Sequence, residues 1–176
     1  SVTFYKDTEE LPDFEDYSMK GRTYRYLEGK PLYPFGYGLT YGDVTVDSVS
    51  CAGNIWTAGA EGTMEWNPQE ELTMKVKLTN KSRTATGEVV QIYVKALESA
   101  NATPNGKLCA FTRVFLNGGE TKEVELKIGT EAFTVVNEEG ERLVEGGRFL
   151  FNAGLGQPDE RTRELTGKEC VGFTVM

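Results

Sequence analysis

From residue 42 onward, apolar and polar side chains alternate with a period of two, which predicts strands buried on one face. Residues 71–79 place Leu72, Met74, Val76 and Leu78 on one side and Thr73, Lys75 and Lys77 on the other. The pattern returns over 87–95, with Val90, Ile92 and Val94 inward and Gln91, Tyr93 and Lys95 outward. Asn117-Gly118-Gly119 joins 111–116 to 121–128, where Val124, Leu126 and Ile128 alternate with Glu123, Glu125 and Lys127. Asn-Gly-Gly supplies the positive φ angles of a tight hairpin. A second hairpin is expected at Glu138-Glu139-Gly140-Glu141, between a strand over 132–136 and one around Leu143 and Val144. Residues 149–153 and Val171, Phe173 and Val175 form later strands, and Val44, Val46 and Val49 form the first. About seven short strands with frequent turn signals describe an all-β chain, an antiparallel β-sandwich. No useful length carries a 3.6-residue apolar stripe, so helices are expected to be scarce.

Residues 1–41 break this pattern. Seven of the eight tyrosines lie there (Tyr5, Tyr17, Tyr24, Tyr26, Tyr33, Tyr37 and Tyr41), five of them in the run RTYRYLEGKPLYPFGYGLTY. The segment has neither a helical nor a strand period. Leu11-Pro12 discourages a helix and Glu28-Gly29-Lys30-Pro31 reads as a turn. The glycines of Tyr33-Pro34-Phe35-Gly36-Tyr37-Gly38 let backbone lie close to a neighbouring surface while the rings splay aside. The expected organisation is therefore an extended aromatic ribbon over 1–41 and a sandwich over 42–176. The ribbon's packing surface is expected to lie largely outside this chain, with an edge strand of the sandwich as the self-contained alternative.

Composition narrows the chemistry. With 39% apolar and 26% charged residues the 176-residue chain reads as an ordinary globular protein. Its net charge of −8 argues against nucleic acid or an anionic membrane as partner, both of which select clustered Lys and Arg. No apolar run approaches the roughly 20 residues that span a bilayer. The lack of histidine excludes Ser-His-Asp and Cys-His catalysis and His-ligated metals. Cys51, Cys109 and Cys170 are far apart, without the spacing of a zinc or redox site, and read as small residues in or near strands; one disulfide stays open for an exported protein. No metal or other cofactor is expected. Ser1 without an initiating Met or leader reads as a scar or a cut inside a longer protein, and the free cysteines lean toward a bacterial cytoplasm.

Three ordered blocks carry a family resemblance: LPDFxDYSM over 11–19, RTYRY over 22–26 and LYPFGYGLTY over 32–41. They resemble the end of the second catalytic domain, and the connection beyond it, in glycoside hydrolase family 3, the β-glucosidases, β-xylosidases and related exo-acting enzymes. Downstream, Gly106-Lys107-Leu108-x-Ala110-Phe111-x-Arg113-Val114-x-Leu116-x-x-Gly119-Glu120-Thr121 resembles the central hairpin of that family's C-terminal fibronectin type III-like domain; Cys109-Ala110 departs from the usual glycine-bearing pair. The resemblance runs from about Val2 to Val175, and DYSMKGRTYRY sits nearer the xylosidase side. It implies an immunoglobulin- or fibronectin-like sandwich serving as an accessory domain of an enzyme that removes terminal β-linked glucose or xylose. It further implies that the nucleophile and the acid/base residue belong to upstream catalytic domains of the same polypeptide.

No catalytic residue is therefore expected here. Retaining glycosidases need two carboxylates about 5–5.5 Å apart beside a sugar pocket, whereas Glu9-Glu10, Glu123/Glu125 and Glu138-Glu139 read as solvated. The candidate functional residues are instead those of a domain interface: Tyr17, Tyr24, Arg25, Tyr26, Tyr33, Phe35, Tyr37 and Tyr41. So much aromatic surface also makes self-association an expectation. A carbohydrate-binding module is the alternative, with Trp56 and Trp66 or the tyrosines stacking on sugar rings, against the plainer reading of the two tryptophans as plugs at the sandwich end. Asn80-Lys81-Ser82 and Asn101-Ala102-Thr103 match glycosylation acceptors.

Overall fold

The computed structural model describes residues 3–176. After the ribbon, which holds the single-turn helix α1 (Thr23–Tyr26), come β1 (Val44–Cys51), β2 (Asn54–Thr57), β3 (Thr63–Met64), β4 (Leu72–Asn80), β5 (Thr86–Ala96), β6 (Lys107–Leu116) and β7 (Thr121–Ile128). The chain ends through β8 (Val135–Val136), β9 (Arg142–Leu143), β10 (Phe149–Gly154), helix α2 (Glu160–Thr166) and β11 (Val171–Val175). One sheet runs β2-β1-β4-β7 and is antiparallel throughout. The facing sheet runs β3-β11-β10-β5-β6, antiparallel except where β3 lies parallel to β11. The arrangement is an all-β sandwich.

The predicted alternation sets the core. Leu72, Met74, Val76 and Leu78 of β4 are fully buried and face Val90, Ile92 and Val94 of β5 across the layer. An aromatic cluster closes one end: Phe133 meets Phe149 edge-on at 5.2 Å, and Phe151 lies 5.8 Å from Phe173. Placing Phe133 there requires a departure from the expected strand over 132–136. Residues Thr130–Phe133 form a 3-10 turn that drops Ala132 and Phe133 into the core, leaving only Val135 and Val136 to pair with β9.

Two further differences have local causes. Helix α2 is missing from the sequence reading because seven residues cannot show a clear stripe, yet its ends are written in the chain. The Asp159 side chain accepts from Thr162 N at 2.6 Å as N-cap, and Gly167 ends the helix with φ of 67°. Trp56, a candidate for stacking on sugar, lies on strand β2 and turns into the core. Its ring is buried and stacks on Phe173 at 4.1 Å and 4°. Gly62 makes room for it, since a Cβ there would sit 1.8 Å from Trp56 Nε1.

A candidate functional site built from the aromatic ribbon

The outward face of β5 is not open to solvent. Gln91 and Tyr93, placed on that face by the alternation, are both buried, because the ribbon crosses over them. Alternation assigns a residue to a face; it does not say what covers the face.

The anchor is Tyr24. Its ring stacks on Phe35 at 4.1 Å and 10°, and meets Tyr93 edge-on at 6.2 Å. Its hydroxyl oxygen accepts from Leu108 N at 3.0 Å, which leaves the ring 8% exposed. A one-turn helix such as α1 has no internal partners for its last carbonyls, and Asn105 satisfies them: its Nδ2 donates to Tyr24 O (2.9 Å) and Leu27 O (2.7 Å), and its N donates to Arg25 O (3.0 Å). Burial raises the Tyr93 phenol above its usual range, so it stays protonated and donates to Gln91 Oε1 at 2.7 Å.

Gly36 supplies the close approach. Its φ is 77°, and a Cβ would stand 2.3 Å from Gln91 Oε1. Gln91 Nε2 donates to Gly36 O at 3.2 Å, and Phe35 N donates to the buried Gln157 Oε1 at 3.3 Å. On the far side of this strap, Lys30 pairs with Glu160 (3.0 Å) and Glu164 (2.6 Å) of α2; the Glu164 hydrogen bond raises the lysine and the same bond lowers the glutamate. Between strap and helix lies a cavity of about 180 Å³ bordered by Phe4, Tyr24, Tyr33, Phe35, Asn105 and Arg161. The strap ends where Asn80, fully buried, receives bonds from Asp43 N, Ser82 N and Ser82 Oγ and donates to Thr84 O and Asn117 O. Asn80 is thereby unavailable as a glycosylation acceptor, since its Nδ2 is already engaged inside the fold.

These contacts correct one expectation. The surface under Tyr24 and Phe35 is in this chain: it is the outer face of β5. The other candidates divide. Arg25 lies over the Tyr24 ring at 5.8 Å, and half-buried Tyr26 lines a cleft beside Lys107. Tyr33 stacks on Tyr37 at 5.5 Å with part of its ring in solvent. Tyr17 and Tyr41, with Phe14 and Leu39, are at least 90% exposed. The loop bearing Phe14 and Tyr17 is not shapeless, because the Arg22 guanidinium donates to the carbonyls of Asp13, Asp16 and Ser18 and closes it from within.

The two tryptophans do not share an exposed face. Trp56 is core, and half-buried Trp66 packs against the core while its Nε1 donates to Glu70 O at 3.3 Å. The acidic pairs Glu9-Glu10, Glu123/Glu125 and Glu138-Glu139 are exposed. All three cysteines are free thiols, raised by burial to about 11 for Cys51 and about 12 for Cys109 and Cys170. Sequence reasoning missed the residues that receive the ribbon, Gln91, Tyr93, Asn105 and Gln157. Gln91 and Tyr93 carried a usable signal, two large side chains on the nominally wet face of a central strand.

A family model described as fibronectin type III-like domain matches residues 88–156. Over 167 residues the chain is 32% identical to a xylan 1,4-beta-xylosidase of Xylanibacter ruminicola, covering 94% of this chain and 18% of that protein. It is 34% identical to a beta-xylosidase of Formosa agariphila, covering 90% of this chain and 21% of the relative. Among solved structures, a β-glucosidase of Erythrobacter marinus superposes with a TM-score of 0.71 at 25% identity, over 99% of this chain and 21% of its own. The chain thus spans about a fifth of the length of these relatives.

Proposed function

We propose that this chain, which carries a fibronectin type III-like domain and is related along nearly its whole length to about a fifth of β-xylosidases and β-glucosidases, is a non-catalytic C-terminal accessory domain of a family 3 glycoside hydrolase. The parent enzyme removes terminal β-linked glucose or xylose, and its catalytic carboxylates lie in the upstream part of the same polypeptide. The domain's role is mechanical. The sandwich supplies a rigid core, and the ribbon, pinned through Tyr24, Phe35 and Gly36, fixes the direction in which the chain leaves toward the catalytic part.

The observation that carries this reading is the combination of coverage and ribbon. The similarity covers 94% of this chain in one relative, which takes in most of the ribbon as well as the sandwich and supports treating the two together. A carbohydrate-binding role has less support, because Trp56 is consumed by the core.

The test compares three proteins: the isolated chain, the full-length polypeptide, and that polypeptide without residues 42–176. Aryl β-xyloside and β-glucoside hydrolysis is expected from the full-length protein, at blank level from the isolated chain, and with a lowered melting temperature in the truncated form. Hydrolysis by the isolated chain above blank overturns the reading, as does a truncated enzyme as stable as the intact one. Retardation of the isolated chain on xylan or glucan gels, abolished by Trp66→Ala, supports the binding module instead.

A further inference from the structure

The ribbon covers only part of the outer face of the sheet that contains β5 and β6. Phe111, Arg113 and Phe115 alternate outward along β6, paired with Gln91, Val89 and Gly87 of β5. Gln91 lies beneath the ribbon, while Phe111 and Phe115 remain 68% and 63% exposed. Where the ribbon leaves the sheet, Leu39 and Tyr41 stand beside Arg113 and Phe115, the stripe continuing along β6 to Phe111, and a shallow groove of about 610 Å³ runs between Leu39, Tyr41, Gly87, Arg113 and Phe115. The four apolar side chains present roughly 500–700 Å² between them, taking about 150–250 Å² for a large ring. That is at or above the largest apolar patch of an ordinary monomer, roughly 300–600 Å². At its centre Arg113 lies 4.9 Å over the Phe115 ring and pairs with no carboxylate among the described residues.

We infer that the face formed by Leu39, Tyr41, Phe111, Arg113 and Phe115 docks the upstream catalytic part of the same polypeptide, on a surface that is apolar and carries a carboxylate for Arg113. The inference rests on the accessory-domain reading. Three observations select this occupant over a second copy. The patch is built jointly by ribbon and sandwich, so what covers it lies where the ribbon passes. The relatives are about five times longer than the chain, which leaves ample protein to cover it. A tethered partner also acts at millimolar effective concentration, so a patch too small for a free dimer suffices. Phe111 and Phe115 were absent from the sequence-based candidates because an edge strand with an aromatic outer face reads like any other strand.

Hydroxyl-radical footprinting of the isolated chain and of the full-length polypeptide tests the inference. The expected result is at least about tenfold slower labelling of Tyr41, Phe111 and Phe115 in the full-length protein, with Ile55, exposed on β2 in the other sheet, labelled equally in both. Equal labelling of the three rings, in a full-length protein that hydrolyses aryl β-glycosides, overturns this inference and leaves the accessory reading standing. A full-length protein without glycosidase activity overturns the reading itself. Protection in the isolated chain that grows with its concentration assigns the face to a second copy and also overturns the inference. As an independent arm, Phe111→Ser with Phe115→Ser leaves the melting of the isolated chain within about 2 °C but splits the single transition of the full-length protein into two; one unsplit transition counts against the docking.

Discussion

Replacing Tyr24 with alanine separates the ribbon from the sandwich on which it rests. The substitution removes a buried ring that stacks on Phe35 at 4.1 Å, touches Tyr93 edge-on and accepts a hydrogen bond from Leu108 N. Truncating a buried aromatic costs about 3–5 kcal/mol. Tyr24 belongs to the ribbon and the sandwich core does not depend on it, so the cost falls on docking of the ribbon and not on the β4–β5 core. At about 1.4 kcal/mol per tenfold, ribbon opening rises by about two to three and a half orders of magnitude. Trypsin reads this directly, since Lys20, Arg22 and Arg25 lie in the ribbon, and cleavage of a rapidly opening segment follows the open population. The variant is expected to be cut at Arg22 and Arg25 about 100- to several-thousand-fold faster, while a fragment beginning at Tyr26 persists with unchanged melting, since Lys30 precedes Pro31 and the next basic residue is Lys75. Tyr24→Phe keeps the stack and loses only the acceptor, so its cleavage rises about tenfold or less, near 1 kcal/mol. Cleavage of Tyr24→Ala within twofold of the parent refutes the assignment of Tyr24 as anchor. Equal collapse of the whole domain refutes the separation of ribbon from core.

Two other perturbations test different parts of the structure. Asn80→Ala strips five hydrogen bonds from a fully buried junction, and urea unfolding should show a loss of about 2–4 kcal/mol; a loss under about 1 kcal/mol means that water replaces the side chain. Burial raises the thiols of Cys51, Cys109 and Cys170 from 9.0 to about 11, 12 and 12, so the folded chain keeps protons that the unfolded chain releases. The stability they confer is complete below pH 9 and is lost as pH rises toward 12. Lys107, which burial lowers to about 8 while its Nζ donates to Glu131 O and Thr134 O, works in the opposite direction between pH 8 and 10.5. Under reducing conditions the urea midpoint of the parent should fall from pH 9 to 10.5, and that of the Cys109→Ala, Cys170→Ala variant should fall less; parallel pH profiles for the two proteins contradict the thiol origin.

The strands of the sandwich were legible because their information is local. Period-two alternation over 72–78 and 90–94 fixes a face within a few residues, whereas Asn-Gly-Gly at 117–119, read as a tight hairpin, instead carries the chain from β6 in one sheet to β7 in the other, because each strand finds its partner elsewhere, β6 on β5 and β7 on β4. Phe133 shows where this stops: an apolar residue inside a strand-like run becomes a 3-10 turn because the aromatic cluster at Phe149 and Phe151 has space for its ring. Trp56 shows the same for function. A tryptophan between turn-like segments is compatible with a sugar platform until the ring of Phe173, more than a hundred residues away, is found stacked on it.

The ribbon divides the same way. By itself the sequence determined that residues 1–41 cannot form a core of their own: their aromatics follow no period, and glycine and proline interrupt them. It also determined that a conformationally free residue at position 36 would let the backbone approach a surface. Only the tertiary structure decided which surface. The energy of docking comes from side chains distant in sequence, Gln91 and Tyr93 on β5, Asn105 before β6 and Gln157 after β10. No local pattern encodes which of them meet. The same holds for the apolar side chains left uncovered at Leu39, Tyr41 and Phe115, whose proximity follows from the path of the ribbon across the sheet and not from any spacing along the chain.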